Sequence, residues 1–93
     1  MKKHVIIIGK VHGVGFRTFL KEKAIKKNIF GWVKNTIQGV EALLIGADEN
    51  VNDLIKQCKK GPHSSNVTQV KIQDYKQEYL KKTFDILNSN YHQ

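Results

Sequence analysis

The sequence predicts an α+β fold in which two helices cover one face of an antiparallel sheet. Three observations predict it: a short apolar run near the start, a helical period of apolar residues in each half, and alternating apolar residues elsewhere. In order they give strand–helix–strand–strand–helix–strand, followed by a last short strand. This is the split βαβ order of ferredoxin-like sandwiches. Because unrelated proteins share that fold, it predicts no function by itself.

The first part of the chain predicts a strand followed by a helix. The stretch 5–8 is apolar throughout, which is typical of a strand with neighbours on both sides. Apolar residues at helical spacing follow, and these are Phe16, Leu20 and Ala24. They predict a helix over 16–28, with Asn28 in a left-handed cap at its C-terminus.

A hairpin is predicted after this helix. The stretches 29–35 and 40–45 are rich in apolar and β-branched residues, and the four residues 36–39 between them end in glycine. Such a pattern is typical of two antiparallel strands joined by a short turn. We therefore expect these stretches to form the second and third strands of the sheet.

The third quarter of the chain predicts the second helix. Its apolar residues recur at i, i+3, i+4 and i+7, and these are Val51, Leu54, Ile55 and Cys58. Asp48 or Asn50 is expected to cap the N-terminus, because both residue types accept hydrogen bonds from first-turn amides. Gly61 followed by Pro62 is expected to end the helix.

Two strands and a polar tail complete the predicted domain. Alternating apolar residues predict a fourth strand over 68–72 and a short last strand over 84–86. The polar residues 88–93 are expected to fray. A chain of 93 residues without repeats or linker-like segments predicts one domain over 1–93.

Composition favours a cytoplasmic protein whose ligands are anions. No apolar run is long enough to span a membrane, and the run after Lys3 is too short for a signal peptide. The single cysteine, Cys58, cannot form an internal disulfide, which agrees with a reducing compartment. The net charge of +8 attracts polyanions or small anionic substrates.

One loop combines glycines, a helix N-terminus and an arginine. Gly9, Gly13 and Gly15 allow a tight turn between the first strand and the first helix. Backbone N–H groups in such a turn, beside the positive end of a helix, form an anion site. Of sixteen basic residues fifteen are lysine, and the one arginine, Arg17, lies in the first helical turn. A cation there costs roughly 0.3–1 kcal/mol, which a bound phosphate would offset.

This loop resembles the signature of the acylphosphatases, Gly-x-Val-Gln-Gly-Val-x-Phe-Arg. The chain matches that signature over 9–17 except at His12, where the family has glutamine. A second family segment, Gly-Trp-Val-x-Asn, occurs at 31–35, and Gly39 and Gly46 follow it in the expected places. The two segments occur in order and correctly spaced, while the second half of the chain agrees more loosely.

The resemblance implies an acylphosphatase, which hydrolyses the carboxyl–phosphate bond of an acyl phosphate to a carboxylate and inorganic phosphate. It implies that Arg17 binds the phosphate and that Asn35 positions the attacking water. The substrate-binding residues that it implies, through their backbone N–H groups, are Val11, His12, Gly13, Val14 and Gly15. It further implies a monomer without metal or organic cofactor, in which a substrate phosphate oxygen takes the proton of the water.

The same residues also have plainer interpretations. Arg17 could pair at the surface with a carboxylate such as Glu22. Asn35 precedes a turn, where asparagine is common for structural reasons. His12 either contributes only its backbone N–H or adds positive charge near the anion below about pH 6.5. The other histidines lack metal-ligand spacing, so no metal site is expected; they are His4, His63 and His92.

Two other functions stay open at this point. A small basic ferredoxin-like module could bind RNA or DNA, although the chain lacks the Lys/Arg-Gly-Phe/Tyr-Gly/Ala-Phe segment of RNA-recognition motifs. Walker and Gly-x-Gly-x-x-Gly loops are also missing, which disfavours nucleotide binding by those routes. The third possibility is a non-catalytic anion-binding domain, like the acylphosphatase-like modules of larger proteins, and the short single-domain chain disfavours it.

Overall fold

The computed structural model describes residues 1–88, which form a five-stranded sheet and two α-helices. In chain order the elements are β1 (Lys2–Lys10), α1 (Phe16–Lys26), β2 (Phe30–Thr36), β3 (Gly39–Ile45), α2 (Asp48–Lys60), β4 (Asn66–Asp74) and β5 (Phe84–Ile86). The strand order in the sheet is β4-β1-β3-β2-β5. The predicted α+β, ferredoxin-like arrangement is confirmed. Neither helix within these residues is long and apolar enough to cross a membrane.

The core lies between both helices and one face of the sheet. Register places Val5 opposite Ala42 and Ile7 opposite Val40, and all four side chains are fully buried. The helices add the residues that the apolar periods indicated, namely Phe16, Leu20, Ala24, Val51, Leu54, Ile55 and Cys58. Because these residues belong to one cluster with the strand residues, α1 and α2 pack on the same face.

The sheet is mixed, whereas the sequence predicted an antiparallel one. β1 is antiparallel to β3 and β4, and β2 is antiparallel to β3, as expected. β5 runs parallel to β2, however, and pairs Gly31 with Phe84 and Val33 with Ile86. Apolar alternation identifies the two faces of a strand, but it carries no information on strand direction.

The N-terminus of α2 has no side-chain cap, so the prediction of Asp48 or Asn50 was wrong. Ala47 occupies the N-cap position instead. Asp48 is the first helical residue, and its carboxylate lies 3.3 Å from the N-terminal amine of Met1. Asn50 donates its side-chain amide to the carbonyl oxygen of Lys27, at 3.1 Å. Both polar side chains therefore connect α2 to distant parts of the chain.

The end of α2 at Gly61 and the left-handed conformation of Asn28 are confirmed, but α1 ends before the predicted boundary at 28. α1 ends at Lys26, and Asn28 shortly after it has φ 55°, in the left-handed region. Gly61 follows α2 with φ 72°. β1 is longer than the apolar run 5–8, because its polar ends also pair with β3 and β4. Of the predicted frayed tail, 89–93 lies outside the described residues.

Burial of Cys58 predicts a stability change at alkaline pH. Desolvation raises the pKa of the Cys58 thiol to about 12, whereas an unfolded cysteine ionises near pH 8.5. Between these values the unfolded chain loses a proton that the folded chain keeps, so stability falls as pH rises. Between pH 7 and pH 10 this contributes a loss of about 2 kcal/mol in the free energy of unfolding.

Urea unfolding of the wild type and of Cys58→Ala at pH 7, 9 and 10 measures this contribution. The alanine variant is less stable throughout because of the cavity, but its stability should fall less steeply with pH. Lysines and tyrosines titrate in both proteins, so their effects cancel in the difference. Parallel pH profiles would contradict the prediction.

Candidate active site

The loop 11–15, between β1 and α1, is anchored by two valines and leaves two glycines open. Val11 is 2 % exposed and belongs to the core, and Val14 packs against the core. Gly13 and Gly15 are exposed and have φ 69° and 77°, which residues with a Cβ rarely adopt. A Cβ at either glycine would meet no atom of residues 1–88 within 4 Å. The backbone conformation therefore requires both glycines, and no residue in this part of the chain covers their outer surface.

The first turn of α1 leaves its backbone amides unpaired within the helix. The first helical hydrogen bond in this region runs from the Phe19 N–H to the Gly15 carbonyl, at 3.0 Å. The N–H groups of Phe16, Arg17 and Thr18 thus have no acceptor in the helix. No side chain within residues 1–88 caps this turn, and the turn contains no acidic residue. The positive end of the helix dipole is therefore not offset by any acidic side chain in that turn.

A pocket of about 220 Å³ brings the loop, the first turn of α1, the end of β2 and β5 together. Its lining residues are Val11, Gly13, Gly15, Phe16, Arg17, Thr18, Asn35 and Ile86. Five of the sequence-predicted site residues line it: Val11, Gly13, Gly15, Arg17 and Asn35. The other two, His12 and Val14, lie on the same loop but do not line the pocket.

Arg17 is half-buried at this pocket and pairs with no carboxylate within residues 1–88. The ion pairs in this part of the chain involve the N-terminal amine, three lysines and His4. The alternative pairing of Arg17 with Glu22 is therefore absent from the described structure. Its guanidinium offers a planar set of N–H donors that matches the oxygens of a phosphate.

Asn35 is buried, yet its carboxamide makes no hydrogen bond to the described residues. It is 8 % exposed and lies opposite Val40, on the sheet face that carries the helices. Buried carboxamides are normally hydrogen-bonded to protein or water. Because Asn35 lines the pocket, its donor and acceptor are available to a ligand or to solvent there.

Three pocket residues were not predicted from the sequence. Phe16 and Thr18 contribute first-turn amides, and the signal was present, because every helix N-terminus leaves such donors unpaired. Ile86 is 40 % exposed and reaches the pocket from β5. No sequence signal placed Ile86 there, since its position depends on the parallel pairing of β5 with β2.

The side chain of His12 contacts the β2–β3 hairpin. Its Nε2 lies 2.7 Å from the carbonyl oxygen of Gly39. A carbonyl only accepts hydrogen bonds, so Nε2 is the donor and carries a proton.

Among the described residues, those that line the pocket include no group that titrates near neutral pH. Their side chains are apolar, glycine, hydroxyl, carboxamide and guanidinium, without imidazole, carboxylate or thiol. Within residues 1–88 no group of three or more His, Cys, Asp or Glu side chains could hold a metal ion. The chemistry that these side chains offer is hydrogen bonding and positive charge.

Comparisons with known proteins agree on one family. The acylphosphatase family model matches residues 3–86. The curated acylphosphatase of Koribacter versatilis (strain Ellin345) is 38 % identical over 85 residues, which span 90 % of this chain and 77 % of that protein. The crystal structure of acylphosphatase from Bacillus subtilis has a TM-score of 0.87 at 32 % identity, covering 92 % of this chain and 97 % of that one.

A domain of a larger protein is also similar. Full-length HypF, in its phosphate- and nucleotide-bound crystal structure, gives a TM-score of 0.86 at 27 % identity. The match covers 96 % of this chain but 12 % of that one. With a family model that spans most of its length and a relative at 38 % identity, this chain belongs to the acylphosphatase family.

Proposed function

We propose that this enzyme, an acylphosphatase by family, hydrolyses acyl phosphates in the pocket at the start of α1. One observation carries the proposal: Arg17, which pairs with no carboxylate among residues 1–88, and Asn35, whose carboxamide makes no hydrogen bond to those residues, line the same pocket as the first-turn amides. None of the matches described above favours the alternative of a nucleic-acid-binding module.

The phosphoryl group is proposed to bind at the N-terminus of α1. Backbone N–H groups of the loop and the first turn donate to its oxygens, beside the positive end of the helix dipole. Arg17 adds two parallel charge-assisted hydrogen bonds, which a lysine could not supply. The amides assigned to this role belong to Val11, His12, Gly13, Val14 and Gly15, extended by Phe16, Arg17 and Thr18.

The attacking water is proposed to be held by Asn35. A carboxamide donates and accepts hydrogen bonds without titrating, so it orients a water in either direction. The water oxygen forms a bond to phosphorus while the bond from phosphorus to the acyl oxygen breaks. The bonding pair leaves with the carboxylate. One proton of the water passes to a phosphate oxygen, and the other stays on the oxygen that is newly bound to phosphorus. Positioning and charge stabilisation account for the catalysis of such a transfer.

The absence of a titrating group in the described pocket lining predicts a simple pH dependence. Between about pH 6 and pH 8 the kcat should follow only the ionisation of the substrate, because no lining side chain gains or loses a proton there. Steady-state rates with benzoyl phosphate across this range measure it. A bell-shaped profile that changes in His12→Gln would contradict the prediction and indicate a protein base.

Hydrolysis of benzoyl phosphate in ¹⁸O-labelled water tests the proposed reaction. We expect turnover, competitive inhibition by inorganic phosphate, and the label in the phosphate product. Label in the benzoate would show attack at carbon and would place the reacting atom elsewhere. Salt-dependent binding to nucleic acid without turnover would instead favour the nucleic-acid module.

We further propose that the enzyme acts as a one-domain monomer in the cytoplasm. Arg17 and Asn35 line one pocket within a single chain, so no second copy is needed to supply either of them. The one cysteine is a buried free thiol, which suits a reducing compartment. Sedimentation equilibrium should give the mass of one chain, with specific activity independent of protein concentration; a concentration-dependent dimer with higher activity would contradict this.

A further inference from the structure

We propose that His12 is a positioning residue, which holds the phosphate-binding loop 11–15 at a fixed position and orientation relative to β2, the strand that carries Asn35. The inference rests on the proposed function of the pocket. Its basis is the hydrogen bond from Nε2 of His12 to the carbonyl oxygen of Gly39, at 2.7 Å and 27 positions apart in the chain. The imidazole is half-buried, so this bond is partly shielded from water.

The acceptor is the carbonyl oxygen of the first residue of β3, which is paired in the sheet. Gly39 pairs with Thr36 across the hairpin, and the next pair along the ladder is Asn35 with Val40. A Cβ at Gly39 would lie 2.0 Å from the carbonyl oxygen of Ile7, so the backbone here packs directly against β1. The carbonyl that receives the His12 bond is thus fixed by the same ladder that fixes Asn35.

Apolar contacts alone do not fix the orientation of the loop 11–15, so a directional contact is required. Val11 and Val14 hold it to the core through apolar contacts, which restrain distance but not direction. Gly13 and Gly15 have no side chains and line the pocket. The bond from His12 supplies an angular restraint between the amides that bind phosphate and the carboxamide that orients water.

Loss of this restraint should lower kcat by a larger factor than it lowers the affinity for phosphate. His12→Ala keeps the backbone N–H of residue 12, so its effect reports on the side chain alone. A displacement of about 1 Å between reacting groups costs on the order of 10²-fold in rate, so we expect kcat to fall about 10–100-fold. The inhibition constant of inorganic phosphate should change by less than about 3-fold, because Arg17 and the first-turn amides remain.

The test compares His12→Ala with His12→Gln and with the control His63→Ala, which removes an exposed imidazole. Benzoyl phosphate turnover gives kcat and KM, and inorganic phosphate gives an inhibition constant. Glutamine should restore kcat to within about 3-fold of the wild type, because its carboxamide N–H also donates to a carbonyl. A purely structural role would lower the unfolding temperature of His12→Ala and leave kcat at 25 °C unchanged.

Two outcomes overturn the inference: a kcat of His12→Ala equal to that of His63→Ala, or a His12→Gln variant as impaired as the alanine variant. An inactive wild type would refute the proposed function instead, so the two failures are distinguishable. Should His12→Ala not fold, ¹⁵N NMR of the wild-type imidazoles decides. A protonated, slowly exchanging Nε2 of His12 at pH 8 supports the proposal, and an unprotonated Nε2 overturns it.

Discussion

Replacing Arg17 with alanine is expected to lower kcat/KM about 10³–10⁵-fold, the range seen when an arginine is removed from a phosphoryl-transfer site. Arg17 lines the pocket and pairs with no carboxylate among residues 1–88, so its charge is available to the transferred phosphoryl group. Arg17→Lys should recover little of the loss, because an ammonium cannot form two parallel bonds to phosphate oxygens. Steady-state kinetics with benzoyl phosphate measure both variants.

Although Arg17→Ala should be far less active than the wild type, we expect it to be more stable. Arg17 places a cation at the positive end of α1, so its removal should raise the free energy of unfolding by about 0.3–1 kcal/mol. Lys26→Ala, on the same helix, is the matched control for net charge and should keep near-full activity. Near-full turnover by Arg17→Ala or Arg17→Lys would refute the assignment of Arg17.

Replacing Asn35 with alanine is expected to lower kcat about 10²–10³-fold, which is the usual loss when one donor to a reacting centre is removed. The inhibition constant of inorganic phosphate should change by less than about 3-fold, because the assigned amides and Arg17 are untouched. Asn35→Asp should be impaired in phosphate binding as well, since a carboxylate in the pocket repels the anion. Steady-state kinetics and inhibition by phosphate separate the two effects.

The control for Asn35 is Asn52→Ala, which removes an exposed carboxamide from α2. It should keep wild-type kcat and KM. If Asn35→Ala raised KM and the phosphate inhibition constant while kcat stayed constant, Asn35 would bind substrate and would not position the water. If Asn35→Ala were fully active, the carboxamide would have only a structural role.

Local chemistry explains which parts of the site were predictable. Gly13, Gly15 and Arg17 lie within five consecutive residues, so their conformation and the dipole of the helix that they begin can be inferred from the sequence alone. Asn35 lies on β2. Its position at the same pocket depends on how β2 pairs with β3 and how β3 pairs with β1. The family resemblance supplied that link, because apolar alternation gives no register between strands.

Features that depend on distant partners were not predictable. Asp48 and Asn50 have the residue types of helix caps, but the N-terminal amine and the Lys27 carbonyl compete for them. The contact of His12 with Gly39 joins residues on either side of α1 and β2. Ile86 enters the pocket only because β5 is parallel to β2. In each case the position of the side chain is set by a tertiary contact, and no local sequence pattern indicates that contact.

Titration of ¹⁵N-labelled enzyme with inorganic phosphate tests most directly that one pocket joins the phosphate site to the Asn35 carboxamide. We expect one saturable event that shifts the backbone amides of residues 13–18, the Arg17 side chain and the Asn35 side-chain amide together. Shifts confined to amides outside this pocket, with residues 13–18 and Asn35 unmoved, would contradict this expectation.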